Sequence, residues 1–139
     1  MFWWKWMASV SWAIIAAGAA MVFLPEAAAG SISQLLYFVP DRFSEFDEQA
    51  ARYIRFAHSV VGAVMAGWGV SFLGLLYGPF RNGSRNGWIT LAASVTVWFG
   101  LDTTVSILLG FWQNAVLNFI IADLYAIPLA ATYRWFFRK

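Results

Sequence analysis

The stretch WFGLDTTVSILLGFWQNAVLNFIIADLY, Trp98–Tyr125, holds two apolar runs joined by the five residues GFWQN. A link that short returns the chain on itself, so the two runs read as an antiparallel helical hairpin. Each run also carries one carboxylate, Asp102 in the first and Asp123 in the second. With the turn centred near Trp112, Asp102 lies ten residues before it and Asp123 eleven after it, which predicts nearly equal depth on adjacent helices. An acid left facing lipid at the centre of a span costs roughly 2.5–3.5 kcal/mol. Both side chains are therefore expected to face protein.

Working outward from the hairpin, four segments have spanning length, about 7–24, 53–77, 88–109 and 114–133. A hydrocarbon core of about 30 Å takes about 20 helical residues. The runs are continuous and rich in Ala, Leu and Gly, so no alternating strand pattern competes. Of the 139 residues, 61% are hydrophobic and 12% charged, against roughly 45–50% and about 25% in soluble proteins. One small domain has too little interior to hide that apolar surface, and lipid must cover much of it. The fold expected is an all-α integral membrane protein: a four-transmembrane-helix bundle, one membrane domain over residues 1–139, with a short interfacial helix in the first outer loop.

Aromatics sit where interfacial belts belong: Trp3, Trp4, Trp6, Tyr77, Trp88, Tyr133 and Trp135 on one side, Tyr37, Tyr53 and Trp112 on the other. Lys5, Arg81, Arg85, Arg134, Arg138 and Lys139 share the first side. Arg42, Arg52 and Arg55 lie on the opposite side, offset by Glu26, Asp41, Glu45, Asp47 and Glu48. The excess of Lys and Arg places both termini in the cytoplasm. The A-x-A pattern at Ala27 and Ala29 would suit signal peptidase, but the run Met7–Leu24 is longer than the 7–15 residues of a signal-peptide core, so an uncleaved first span is expected.

The loops carry their own signals. Pro79 and the glycines of GPFRNGSRNG end one helix before another begins. In the first outer loop, Ser31 with Gln34 reads as a capping box opening the helix ISQLLYFV, which Pro40 terminates. Ser44 with Asp47 reads as a second cap, opening a helix that continues into the next span. Helices in lipid associate through small residues. The second span offers the stripe Ser59, Ala63, Gly67, Ser71 and Gly74, the first Ala13, Ala16, Ala17 and Ala20, and the third Ala92, Thr96, Gly100 and Thr104.

The polar residues inside the spans form the candidate site: Arg55, His58, Asp102, Asn118 and Asp123, with Asn114 one turn from Asn118. An inward-reaching Arg55 could meet Asp102. Two readings stay open, a structural clasp that fixes helix order and a path for protons or substrate. No catalytic residues are identified. One His and no Cys exclude a bis-His haem and most zinc sites within one chain. G-x-S-x-G, H-E-x-x-H and phosphate-cradling glycine loops are absent, so no metal or cofactor is expected. The net charge of +2 is small and dispersed, which argues against nucleic acid.

The runs RYIRFAHSVVGAVMAGWGV, GPFR, WFGLDTTVSILLGFWQNAVLN and AIPL, within residues 50–130, resemble a group of small uncharacterised bacterial four-span inner-membrane proteins. The resemblance implies the bundle and a bacterial inner membrane, and carries no activity or site. Small multidrug exporters also have four spans, but they place an essential Glu in the first, where this chain has no acid. The function expected is a non-catalytic accessory or structural subunit in the lipid bilayer, packing against other membrane proteins or itself. The alternative is a small oligomeric transporter or proton-coupled permeation unit using the Asp/Arg/His set.

Overall fold

A computed structural model describes residues 2–40 and 42–138, and every regular element among them is helical. The order is α1 (Phe2–Phe23), α2 (Pro25–Tyr37), α3 (Glu48–Leu75), α4 (Arg85–Leu108) and α5 (Trp112–Phe137). A 3-10 turn occupies Arg42–Glu45, and a π-helical turn extends α3 over Leu76–Phe80. Four helices are long and apolar enough to cross a membrane: α1, α3 with its π turn, α4 and α5. Asp41 and Lys139, two of the charges counted toward orientation, lie outside the described residues.

Two helix starts differ from the sequence reading. The helix of the first outer loop opens at Pro25 rather than at Ser31. Pro is favoured at the first helical position because its missing N–H would be an orphan there anyway. Ser31 lies inside the helix, its hydroxyl donating back to the Ala27 carbonyl at 2.9 Å. The cap of α3 is Asp47 rather than Ser44. The Ala50 amide donates to Asp47 Oδ1 at 2.9 Å, satisfying one of the four amides that a helix N-terminus leaves bare.

The chain divides into two units, Ala13–Val70 and Met1–Trp12 with Ser71–Lys139. In the first, α1 and α3 cross at two glycines. A Cβ added at Gly62 would lie 2.6 Å from the Gly18 carbonyl oxygen and 2.6 Å from Met21 Cβ, and one at Gly18 would strike the Gly62 carbonyl. Pro25 has no N–H for the Met21 carbonyl four residues back, and the Ser59 hydroxyl approaches that oxygen at 3.4 Å. The small residues that make contact are thus Ser59 and Gly62. The expected face turns the other way: Ala63, Gly67, Ser71 and Gly74 are exposed, and a Cβ at Gly67 or Gly74 would meet nothing within 4 Å. The alanines Ala13, Ala16, Ala17 and Ala20 of α1 are exposed too.

In the second unit, tryptophans take up carbonyls at helix irregularities. Pro128 in the middle of α5 leaves the Leu124 carbonyl without its helical donor, and Trp6 Nε1 supplies one at 3.0 Å. Trp4 Nε1 donates to Leu76 at 2.7 Å, beside the π turn that contains Pro79. Deeper along α1, Tyr125 donates to the Ser11 hydroxyl at 2.9 Å, and Ser11 donates to the Met7 carbonyl at 2.9 Å. At the far end of α5, Arg85 Nε donates to the Phe136 carbonyl at 3.0 Å, capping a helix terminus whose partial charge is negative.

The glycine crossing generates a contrast. Gly62→Val should lower stability to unfolding in detergent by about 1–3 kcal/mol, the usual cost of forcing extra volume into a packed site. Gly67→Val, five residues away on the open face, should leave the monomer's stability unchanged within about 0.5 kcal/mol.

Candidate functional site

The turn between α4 and α5 builds the site. Gly110 has φ +80°, a left-handed backbone that costs glycine no steric strain. Its amide donates to Ile107 at 3.1 Å, and the Phe111 amide donates to Ser106 at 2.8 Å. This is the paired hydrogen-bond pattern of a Schellman termination. The reversal therefore centres near Gly110, two residues earlier than the sequence reading placed it.

That shift sets which side chains meet. Asn114 Nδ2 donates to Asp102 Oδ1 at 2.9 Å and to Ser106 Oγ at 2.8 Å. The Ser106 hydroxyl, one turn below Asp102, donates to the Asp102 carbonyl at 2.7 Å and lies 3.2 Å from its Oδ1. Further along the seam, the buried Asn118 donates to Thr103 Oγ1 at 3.4 Å, and the rings of Phe99 and Phe119 meet edge to face at 4.8 Å. Toward the open end, Trp88 Nε1 donates to the Leu129 carbonyl at 3.0 Å. These pairs put Asp102 level with Asn114, while Asp123 falls level with the region of Val95 and Thr96. The two acids are thus about two helical turns apart along the hairpin, some 10 Å. The expectation of equal depth fails because the reversal comes earlier, nearer Asp102 and further from Asp123.

Asp123 also differs from Asp102 in exposure. Asp102 is half-buried in the seam, whereas Asp123, near the middle of α5, is exposed. Among the described residues it has no hydrogen bond or ion pair. The physical reason is Tyr125, which is fully buried and bonded to Ser11. Two residues along a helix turn the side chain by about 200°. Burying Tyr125 turns Asp123 outward.

Arg55 and His58 belong to the other unit, in the N-terminal half of α3. Arg55 Nη1 lies 3.2 Å from Glu26 Oε1, with both side chains partly exposed, an ion pair of the kind worth under about 1 kcal/mol. The His58 ring packs on Phe43 at 5.7 Å, and its Nδ1 is buried without a hydrogen-bond partner among the described residues. A cavity of about 380 Å³ opens beside them, lined by Glu26, Ala29, Pro40, Phe43, Ile54 and Arg55 among others. Among the described residues no three His, Asp or Glu side chains come together as a metal site would need.

What the arrangement can do chemically is limited. Asp102 is held by the neutral donors Asn114 and Ser106, which orient its carboxyl group within the hairpin. Ser106 and Glu26 were not anticipated as partners. For Ser106 the signal was available: a serine four residues after an acid faces the same side of a helix. For Glu26 there was none, since its pairing with Arg55 spans 29 positions.

If the Asp102 network clasps the hairpin, its members should be coupled. Asp102→Ala and Asn114→Ala should each destabilise the protein by about 1–2 kcal/mol, since each strands a partner. The double variant should cost less than their sum by about 0.5 kcal/mol or more, as read from unfolding in mixed micelles. No family model matches this chain, and neither a curated protein nor a solved structure matches it.

Proposed function

We propose that this chain is a non-catalytic accessory subunit of a bacterial inner-membrane complex. In this reading α1, α3, α4 and α5 cross the bilayer as a four-helix bundle, with α2 at the outer interface. The orientation rests on charge. In the second unit the start of α1, the turn at residues 81–84 and the end of α5 lie at one end, held by the bonds of Trp4 and Arg85. Lys5, Arg81, Arg85, Arg134 and Arg138 gather there without an acid, which favours the cytoplasmic face.

The observation that carries the subunit reading is the outward face of α3. Ala63, Gly67, Ser71 and Gly74 recur at helical spacing and are exposed. Lipid gains little from a glycine face, whereas a second helix gains close backbone approach. Such a face suits packing against a helix of another membrane protein.

The alternative, a small oligomeric transporter or proton-coupled unit using Arg55, His58, Asp102 and Asp123, has less support. Asp102 and Arg55 are each engaged locally, while Asp123 and the buried Nδ1 of His58 lack hydrogen-bond partners among the described residues.

Native mass spectrometry of the tagged protein, extracted gently from its own membrane, tests the proposal. Elution at fixed stoichiometry with a larger membrane assembly is the expected outcome. A bare monomer or homo-oligomer would overturn it and return the polar residues to consideration as a transport path.

A further inference from the structure

Asp123 is the one carboxylate near the middle of a spanning helix that the described residues leave without a partner. A lipid-facing acid at that depth is costly, by roughly 2.5–3.5 kcal/mol, and ionisable groups inside membranes pair with one another or with polar cavities. Its own chain offers no cation nearby on that helix: Arg134 lies about three turns further along α5.

Between α4 and α5 runs a groove of about 490 Å³. Ala92 and Thr96 line it from α4, Ala126 and Ala130 from α5, and Trp88 and Tyr133 stand at one end. Asp123 lies one turn before Ala126 and two before Ala130, so it continues the same edge of α5 beyond the groove's lining residues. Thr96, Ala126 and Ala130 remain exposed. A small ligand would be left half uncovered there, whereas ligand pockets enclose most of their occupant. The small side chains instead let another helix approach closely.

We propose that the Asp123 edge of α5, with this groove, is the docking surface for a transmembrane helix of another subunit that carries a Lys or Arg at mid-membrane depth. Charge complementarity selects that occupant. The spans of this chain carry no Lys or Arg near their centres, so a second copy packed alongside supplies no cation at the depth of Asp123. A basic side chain satisfies the acid and is satisfied by it. The proposal rests on the accessory-subunit reading and names that partner's chemistry.

A photo-crosslinking residue placed at Ile127, exposed one turn from Asp123, tests it in the native membrane, with the adduct peptide identified by mass spectrometry. The expected adduct lies in an apolar segment of another membrane protein that contains Lys or Arg. Asp123→Asn should lower both adduct yield and co-purification by roughly thirtyfold, the effect of stranding one partner of a buried charge pair. Asp123→Glu should retain them. The purified Asp123→Asn protein should unfold in detergent as the parent does, since Asp123 has no hydrogen bond or ion pair among the described residues to lose.

An adduct on a second copy of this chain, on a segment without a basic residue, or on lipid alone would overturn the proposal, as would an Asp123→Asn complex of undiminished yield. Capture of a partner by a probe at Gly67 but not at Ile127 would leave the subunit reading standing and remove this one. Absence of any complex would remove both.

Discussion

The reversal at Gly110 is the constraint on which both carboxylates depend. A left-handed residue at the end of α4 closes the helix with two backbone hydrogen bonds and sends α5 back along it. Once that turn is set, the seam has one register. Asn114 falls opposite Asp102 and Asn118 opposite Thr103, so the polar atoms of the outer seam are matched side chain to side chain. In a low dielectric an unmatched polar group is costly, which makes such a seam selective for register rather than merely adhesive. The same register leaves Asp123 deeper along the hairpin, with no matching group from α4.

Proline organises the contacts elsewhere. Pro25 and Pro128 each withdraw a donor from a carbonyl four residues earlier, and a side chain from a different helix approaches each of those oxygens: Ser59 at Met21, Trp6 at Leu124. A bare carbonyl in an apolar surrounding attracts whatever donor can reach it. Interruptions that would weaken isolated helices therefore become points of attachment between helices. The tryptophans near the start of α1 serve here as directed hydrogen-bond donors as well as interfacial aromatics.

The surface divides by role. The hydrogen bonds at Asp102 lie within one hairpin. The small residues Ala63, Gly67, Ser71 and Gly74 of α3 are exposed, a groove lies between α4 and α5, and Asp123 has no hydrogen bond or ion pair among the described residues. Their placement on helices of spanning length gives the accessory-subunit proposal its physical content, because helix association in lipid depends on close packing and polar matching rather than on hydrophobic burial.

The four apolar helices were legible in the sequence because spanning length and continuous apolar runs are local properties that need no knowledge of neighbours. The tight hairpin was legible for a similar reason: a five-residue link leaves few ways to return. What the tertiary structure decided was direction. A helix presents several plausible faces, and small residues at Ser59 and Gly62 or at Ala63 and Gly67 satisfy the same spacing rule. Only the approach of Gly18 selects between them. Likewise the sequence marks two acids in two spans but not which is sheltered. That follows from a two-residue displacement of the turn and from Tyr125, whose burial against Ser11 rotates Asp123 to the outside. Such choices depend on atoms far apart in the chain, and they become fixed only when the helices pack.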